Sequence, residues 1–141
     1  MTKLAQLIAV EEGGWKLVNG KLTKVPGTLP ARDDNPGDLR HAPGEGHPAD
    51  APDSVGSFAD DETGFAELER QLDLYAGRLV TVDPVTRAEV PAHFMTLKDA
   101  IYEWAPPTEN DSATYLRNVV NGFGGRVDAN TPLNRVLEIQ A

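Results

Sequence analysis

Apolar and polar positions along the chain switch between two periods, and each switch marks an element. Near the start, Leu4, Leu7 and Ile8 recur at i, i+3 and i+4. That is the stripe of an amphipathic helix, which Thr2 can cap and Gly13-Gly14 ends. From Trp15 to Val25 the pattern alternates around Asn19-Gly20, which predicts a β-hairpin with a type I′ turn. Helical spacing returns at Phe65, Leu68, Leu72 and Tyr75, with Thr63 or Asp61 as the cap. Leu79 to Val90 predicts a second hairpin that turns at Asp83-Pro84. Thr96-Leu97-Lys98-Asp99 has the form of a capping box with Asp in place of Glu, and opens a short helix ending before Pro106-Pro107. Ser112 or Asp111 caps a helix bearing Tyr115, Leu116, Val119 and Val120, closed by Asn121-Gly122. Thr131-Pro132 starts a last helix with Leu133, Val136, Leu137 and Ile139, proline suiting the first helical position. Five helices and one or two small β-hairpins make a mainly helical α+β domain spanning residues 1–141, without an internal repeat.

One stretch has no period. Between Pro26 and Glu62 lie Asp33, Asp34, Asp38, Glu45, Asp50, Asp53, Asp60, Asp61 and Glu62, opposed only by Arg32 and Arg40. These residues give 2 − 9 = −7 of a formal net charge of −9. Six of the 11 prolines fall here too, and proline lacks a backbone donor and fixes φ, so neither a long helix nor a central strand can run through it. We expect one long acidic, proline-rich loop over 26–62, with residues 43–55 moving in the absence of substrate.

The charge bears on partners. A domain that binds nucleic acid or an anionic membrane normally carries the opposite balance, so no nucleic-acid partner is expected. The chain has no cysteine, which excludes disulfides, thiolate metal sites and cysteine nucleophiles. The early apolar run Leu7-Ile8-Ala9-Val10 is far too short to cross a bilayer, and Glu11-Glu12 interrupt it where a signal peptide would need a small-residue cleavage site. We therefore expect cytoplasmic synthesis without a signal peptide and no membrane insertion. His41, His47 and His93 lack the close pairing of a zinc helix, and Asp33-Asp34-Asn35 lacks a full calcium-loop pattern. No glycine-rich phosphate cradle follows a strand. Neither a metal nor a cofactor is expected.

At 100° per residue, Glu11 and Glu12 fall on or beside the apolar stripe of the first helix, in its last turn. Burial and the negative end of the helix dipole both disfavour a charged carboxylate at such a position. The alternative is that both residues straddle the helix boundary and reach water.

Three segments carry a family resemblance. Ile8-Ala9-Val10-Glu11-Glu12-Gly13-Gly14-Trp15 resembles the first motif of the lysozyme-like lytic transglycosylases, in which an apolar helix ends at a catalytic Glu; on that register Glu12 is the acid. Arg32-Asp33-Asp34-Asn35-Pro36-Gly37-Asp38-Leu39-Arg40 is similar to the R-N-N-N-P-G-N-L/I-R segment of small phage and prophage lysozyme-like proteins. Ala100-Ile101-Tyr102-Glu103-Trp104-Ala105-Pro106-Pro107-Thr108-Glu109-Asn110-Asp111, running on to Tyr115-Leu116, resembles the W-A-P-P-x-E-N-D-T-x-x-Y-I stretch of the same proteins, with Ser112 where Thr is usual. The segments occur in the family's order, and with the helix from Gly64 to Tyr75 between the last two the resemblance covers most of Leu4 to Val120. Asp33, Asp34 and Asp38 replace residues that are commonly Asn, and a stretch around Val80 to Pro91 reads as an insertion.

The resemblance implies a lysozyme-like domain that cleaves the β-1,4 bond between N-acetylmuramic acid and N-acetylglucosamine. Such cleavage needs a proton delivered to the leaving oxygen, and a carboxyl keeps one at neutral pH only when its environment disfavours ionisation. Glu12 is the expected general acid. A hydrolase would require a second carboxylate, for which Asp33, Asp34, Asp38, Glu45 and Glu62 are all open. A lytic transglycosylase needs only the first, because the muramyl 6-hydroxyl attacks intramolecularly and gains from proximity. Asn35 and Asp38 in the turn, with Trp104, Glu109 and Tyr115, are the expected substrate-binding residues. Trp104 and Tyr102 would stack on sugar faces, with ordinary core packing as the alternative, while Asp111 and Ser112 are read as helix caps. Peptidoglycan strands are the expected partner, and proteins of a phage particle would carry the enzyme to the cell wall. The competing expectation is a non-catalytic virion structural or wall-binding protein with the same fold, motivated by the altered Asp33-Asp34-Asp38 pattern. A chitinase-like or N-acetylglucosaminidase specificity on the same scaffold is a third.

Overall fold

A computed structural model of the chain describes residues 1–39, 46, 56–78 and 95–141. Among these it is a mainly helical α+β structure, with six helices and one two-stranded antiparallel sheet. The hairpin expected over 79–90 and the loop residues 47–55 lie outside the described residues, as do Arg40 to Glu45. The chain divides into two compact units: Met1 with Ala5–Gln71, and Thr2–Leu4 with Leu72–Ala141.

The first unit takes in helix α1 (Lys3–Glu11) from Ala5 onward. Burial here is wider than the expected stripe, since every residue from Leu4 to Ala9 is buried, Gln6 included. A helix enclosed on nearly all sides needs apolar or small residues on more than one face, and Ala5 and Ala9 supply them. The Glu12 amide continues the helical pattern by donating to the Ile8 carbonyl at 2.9 Å. Strands β1 (Trp15–Val18) and β2 (Lys21–Lys24) then pair with Trp15 opposite Lys24 and Val18 opposite Lys21. Asn19 and Gly20 have φ of 52° and 76°, the positive values at both central positions that a type I′ turn requires. A 2.8 Å bond from the Val25 amide to the Gly14 carbonyl closes the hairpin base.

A short helix α2 (Leu29–Arg32) follows, which the periodicity does not predict. It is one turn long, and Pro30 in its first turn needs no donor there, so proline starts this helix rather than preventing it. Helix α3 (Asp61–Tyr75) is the longest. Its cap is neither Thr63 nor Asp61: the Asp60 carboxylate accepts from the Thr63 amide at 2.8 Å. This correction is of one to three positions, and it arises because Asp60-Asp61-Glu62-Thr63 offers several capping side chains in a row.

In the second unit, α4 (Leu97–Trp104) opens on the expected capping box. The Asp99 amide donates to Thr96 Oγ1 and the Thr96 amide to Asp99 Oδ2. Helix α5 (Ser112–Gly122) is capped by Asp111, whose carboxylate accepts from the Thr114 amide at 3.1 Å and its hydroxyl at 2.8 Å. Helix α6 (Leu133–Val136) is a single turn, shorter than the spacing to Ile139 predicts. Pro132 caps it instead of occupying its first turn, and beyond Val136 the chain continues in tighter turns through the Glu138 and Ile139 amides. Helix α4 packs on both α5 and α6. The buried apolar residues of this unit include Leu72, Leu97, Ile101, Tyr115, Val119, Leu133 and Val136.

Candidate functional site

Glu12 stands half-buried in the turn immediately after α1. Gly14, two residues on, fits against α2 because it has no side chain: a β-carbon there would meet Pro30 Cβ at 2.8 Å. The segment carrying Glu12 is thereby seated on the helix that leads into the Asn35-Pro36-Gly37 turn.

That turn is rigidly built. The Asn35 amide donates to the Pro30 carbonyl at 2.9 Å, and the Asp38 amide to the Asn35 carbonyl at 3.1 Å. Asp34 and Asp38 both take positive φ, 51° and 55°, which Asp tolerates better than most side chains. The Asn35 side chain is fully buried. Its Nδ2 donates to the carbonyls of Leu39 and Gly56 at 2.8 Å each, and its Oδ1 accepts from the Leu39 amide at 2.9 Å. One carboxamide therefore ties together the two sides of the loop stem. Two backbone bonds add to it, Gly56 to the Leu39 carbonyl and Phe58 to the Asp33 carbonyl, both 2.9 Å. Asn35 thus shapes the turn from inside, while half-buried Asp38 keeps part of its surface in water.

Beside the turn lies a charged cluster. Lys24 Nζ is 2.6 Å from Asp34 Oδ1 and 2.8 Å from Asp61 Oδ1, and sits 5.6 Å from the centre of the Trp15 ring. Trp15 in turn meets Phe65 edge to face, with centroids 5.2 Å apart. The hydrogen bond from the Lys24 ammonium, then one shared with Asp61, holds the Asp34 carboxyl below the usual carboxylate range. Burial, aided by Asp34 as neighbour, pushes Asp61 up in spite of Lys24. Burial works against the charge on Lys24, but the two carboxylates together outweigh it and raise its value. On α3, Glu67 Oε2 is buried without a hydrogen-bond partner among the described residues, with Arg70 Nη1 at 4.0 Å.

The remaining expected residues belong to the second unit. Trp104 ends α4 half-buried and packs edge to face on Tyr75 at 5.8 Å, the arrangement of a core aromatic. Tyr102 is half-buried with Lys98 Nζ 5.5 Å from its ring centre. Glu109 is exposed, and its amide donates to the Pro106 carbonyl at 3.0 Å. Tyr115 is 8% exposed, on the inner face of α5. The Ser112 hydroxyl donates to the Ala105 carbonyl and so fastens the double-proline segment to the start of α5. Of the expected residues, Glu12, Asn35 and Asp38 fall in the first unit, and Trp104, Glu109 and Tyr115 in the second.

Sequence reasoning singled out neither Lys24 nor Glu67, and Asp61 only as a helix cap and as one acid of the loop. Among the described residues no three His, Cys, Asp or Glu side chains gather as a metal ion would require, and no helix is long and apolar enough to cross a membrane. Comparison with protein families, with curated proteins and with solved structures finds no match.

Proposed function

We propose that this chain is a lysozyme-like, peptidoglycan-degrading enzyme, a muramidase or lytic transglycosylase associated with a phage or prophage. Glu12 is its general acid. The observation that carries the reading is the position of Glu12, half-buried at the C-terminal end of an apolar helix and in one compact unit with the Asn35-Pro36-Gly37 turn. A half-exposed carboxyl in this place is held by the helix end behind it and still reaches a substrate oxygen, as proton delivery to a leaving group requires. The stiff turn provides a fixed wall on which a glycan strand can be aligned, and alignment counts for much of such a barrier. Digestion of purified sacculi followed by mass spectrometry of the released muropeptides tests this. Reducing muramic acid ends identify a muramidase, anhydro-muramic acid ends a transglycosylase, and reducing glucosamine ends a glucosaminidase. Glu12→Gln should abolish release; full activity in that variant would remove Glu12 from the mechanism.

A second reading, a non-catalytic particle or wall-binding component, is favoured by the internal use of the turn's polar groups. The Asn35 carboxamide serves Leu39 and Gly56, and the Asp34 carboxylate serves Lys24. Sacculi that bind the protein yet release no muropeptides would support it.

A further inference from the structure

Asp34 and Asp61 lie on opposite sides of the acidic stretch, yet both carboxylates converge on one ammonium group from a third segment. Asp34 belongs to the turn, Asp61 to the first residue of α3, and Lys24 to the end of β2. The Trp15 ring backs the ammonium, so the lysine is not a loose surface chain. The other charged groups nearby are occupied elsewhere: Asp33 faces Arg32 at 3.5 Å, and Asp60 caps α3. At this same place the Asp34 carbonyl comes so close to Gly64 that a β-carbon there would lie 1.9 Å from it. Without the cation, two like charges would face each other across a backbone contact with no room to adjust.

We propose that Lys24 is a positioning residue, whose ammonium offsets one of the two negative charges of the Asp34–Asp61 pair and so holds the 34–38 turn against α3 in the shape that aligns a glycan strand. Its link to catalysis rests on the glycan-cleaving reading; the clamp itself does not. A lysine that only filled space would be replaceable by a chain of similar length. A lysine that offsets charge is replaceable by removing one of the two negative charges.

The test is amide exchange at Leu39 and Phe58, which bond to Asn35 Oδ1 and the Asp33 carbonyl, in the full chain near neutral pH. Lys24→Met should lose about tenfold or more of the protection at both amides, the scale of one charge-assisted hydrogen bond. Lys24→Arg should keep it, and Lys24→Met/Asp61→Asn should recover most of it. Acidification of Lys24→Met through the carboxylate range should also restore protection, since one proton then replaces the cation. Unchanged protection in Lys24→Met, or a double variant no better than the single, overturns the proposal. If Lys24→Met does not fold, a folded double variant supports the proposal and an unfolded one overturns it. On sacculi, Lys24→Met should raise KM with kcat held, and the double variant should reverse this; an unchanged KM would end the positioning role. A wild-type protein that releases no muropeptides sinks the glycan reading alone, because the exchange pattern still decides the clamp.

Discussion

The Asp34 carbonyl oxygen occupies the space beside Gly64 where any other residue would place its β-carbon, 1.9 Å away. In an ordinary helix interior, Gly→Ala gains up to about 1 kcal/mol from backbone entropy. At residue 64 the sign reverses, because the added β-carbon would meet the Asp34 backbone and, at 2.9 Å, Pro36 Cδ, neither of which is the end of a flexible side chain. Gly64→Ala should cost about 2–3 kcal/mol, the scale of overpacking in a tight interior. Urea denaturation measures this, and an unchanged or raised midpoint would contradict the close approach.

Asp34 and Asp61 share one lysine but should respond to pH in opposite directions. Hydrogen bonding from Lys24 holds the Asp34 carboxyl low. Its stabilising contribution is present above the ordinary carboxylate range and is lost as pH falls through the lowered value. Asp61 is pushed up, by burial first, so its contribution is full below its ordinary value and is lost as pH rises through the raised one. Relative to wild type, Asp34→Asn should therefore be most destabilising near neutral pH and should approach wild type in acid. Asp61→Asn should improve relative to wild type as pH rises from acid to neutral. Thermal melts of both variants at several pH values decide this, and slopes of the same sign would refute it. At the alkaline end the raised Lys24 protects its own charge, and its contribution should fade only above the usual lysine range.

Local signals foretold the elements they govern. Asn19-Gly20 fixed the hairpin because both residues must take positive φ, and Thr96 with Asp99 fixed the start of α4 because the box satisfies donors within four residues. Helices α2 and α6 were beyond or at the edge of such reasoning, since a single turn shows no period. The Asn35-Pro36-Gly37-Asp38 turn was legible as a turn, but the inward direction of the Asn35 carboxamide depends on Gly56, 21 residues away. Lys24 could not be found at all by pattern. Its partners lie 10 and 37 residues along the chain, and no spacing rule links a strand end to a turn and a helix start.

The two caps of the second unit offer an independent measure of local stability. Thr96→Ala removes the acceptor of the Asp99 amide, and Asp111→Ala removes that of the Thr114 amide. The Thr96 change should cost about 1 kcal/mol, and the Asp111 change should lower the denaturation midpoint as well. The two sets of bonds share no group, so the double variant should lose close to the sum. Thr63 and Thr114 donate to Asp60 and Asp111 and hold both carboxyls below their ordinary range, so each cap weakens as pH falls through the carboxylate range. Chemical denaturation at neutral and acidic pH checks both statements, and a coupled double variant would show that the helices communicate.

Asn35 supplies the sharpest test of the turn, because an isosteric change reverses its chemistry. In Asn35→Ala the Leu39 and Gly56 carbonyls lose a donor and the Leu39 amide loses an acceptor in a buried place, which should cost about 2–4 kcal/mol. Asn35→Asp keeps the shape but aims a carboxylate at two carbonyl oxygens. A buried charge without a donor is costlier than a neutral gap, so the introduced carboxyl should hold its proton well above the usual carboxylate range. The sign follows from linkage: the folded value exceeds the unfolded one, so the variant loses stability steadily as pH rises until the folded value is passed. Asn35→Asp should therefore be milder than Asn35→Ala in acid, where the protonated group still donates one bond, and more damaging at pH 8. Denaturation midpoints of the two variants should cross between those conditions. Parallel curves would mean that the Asn35 carboxamide does not join the two sides of the loop stem.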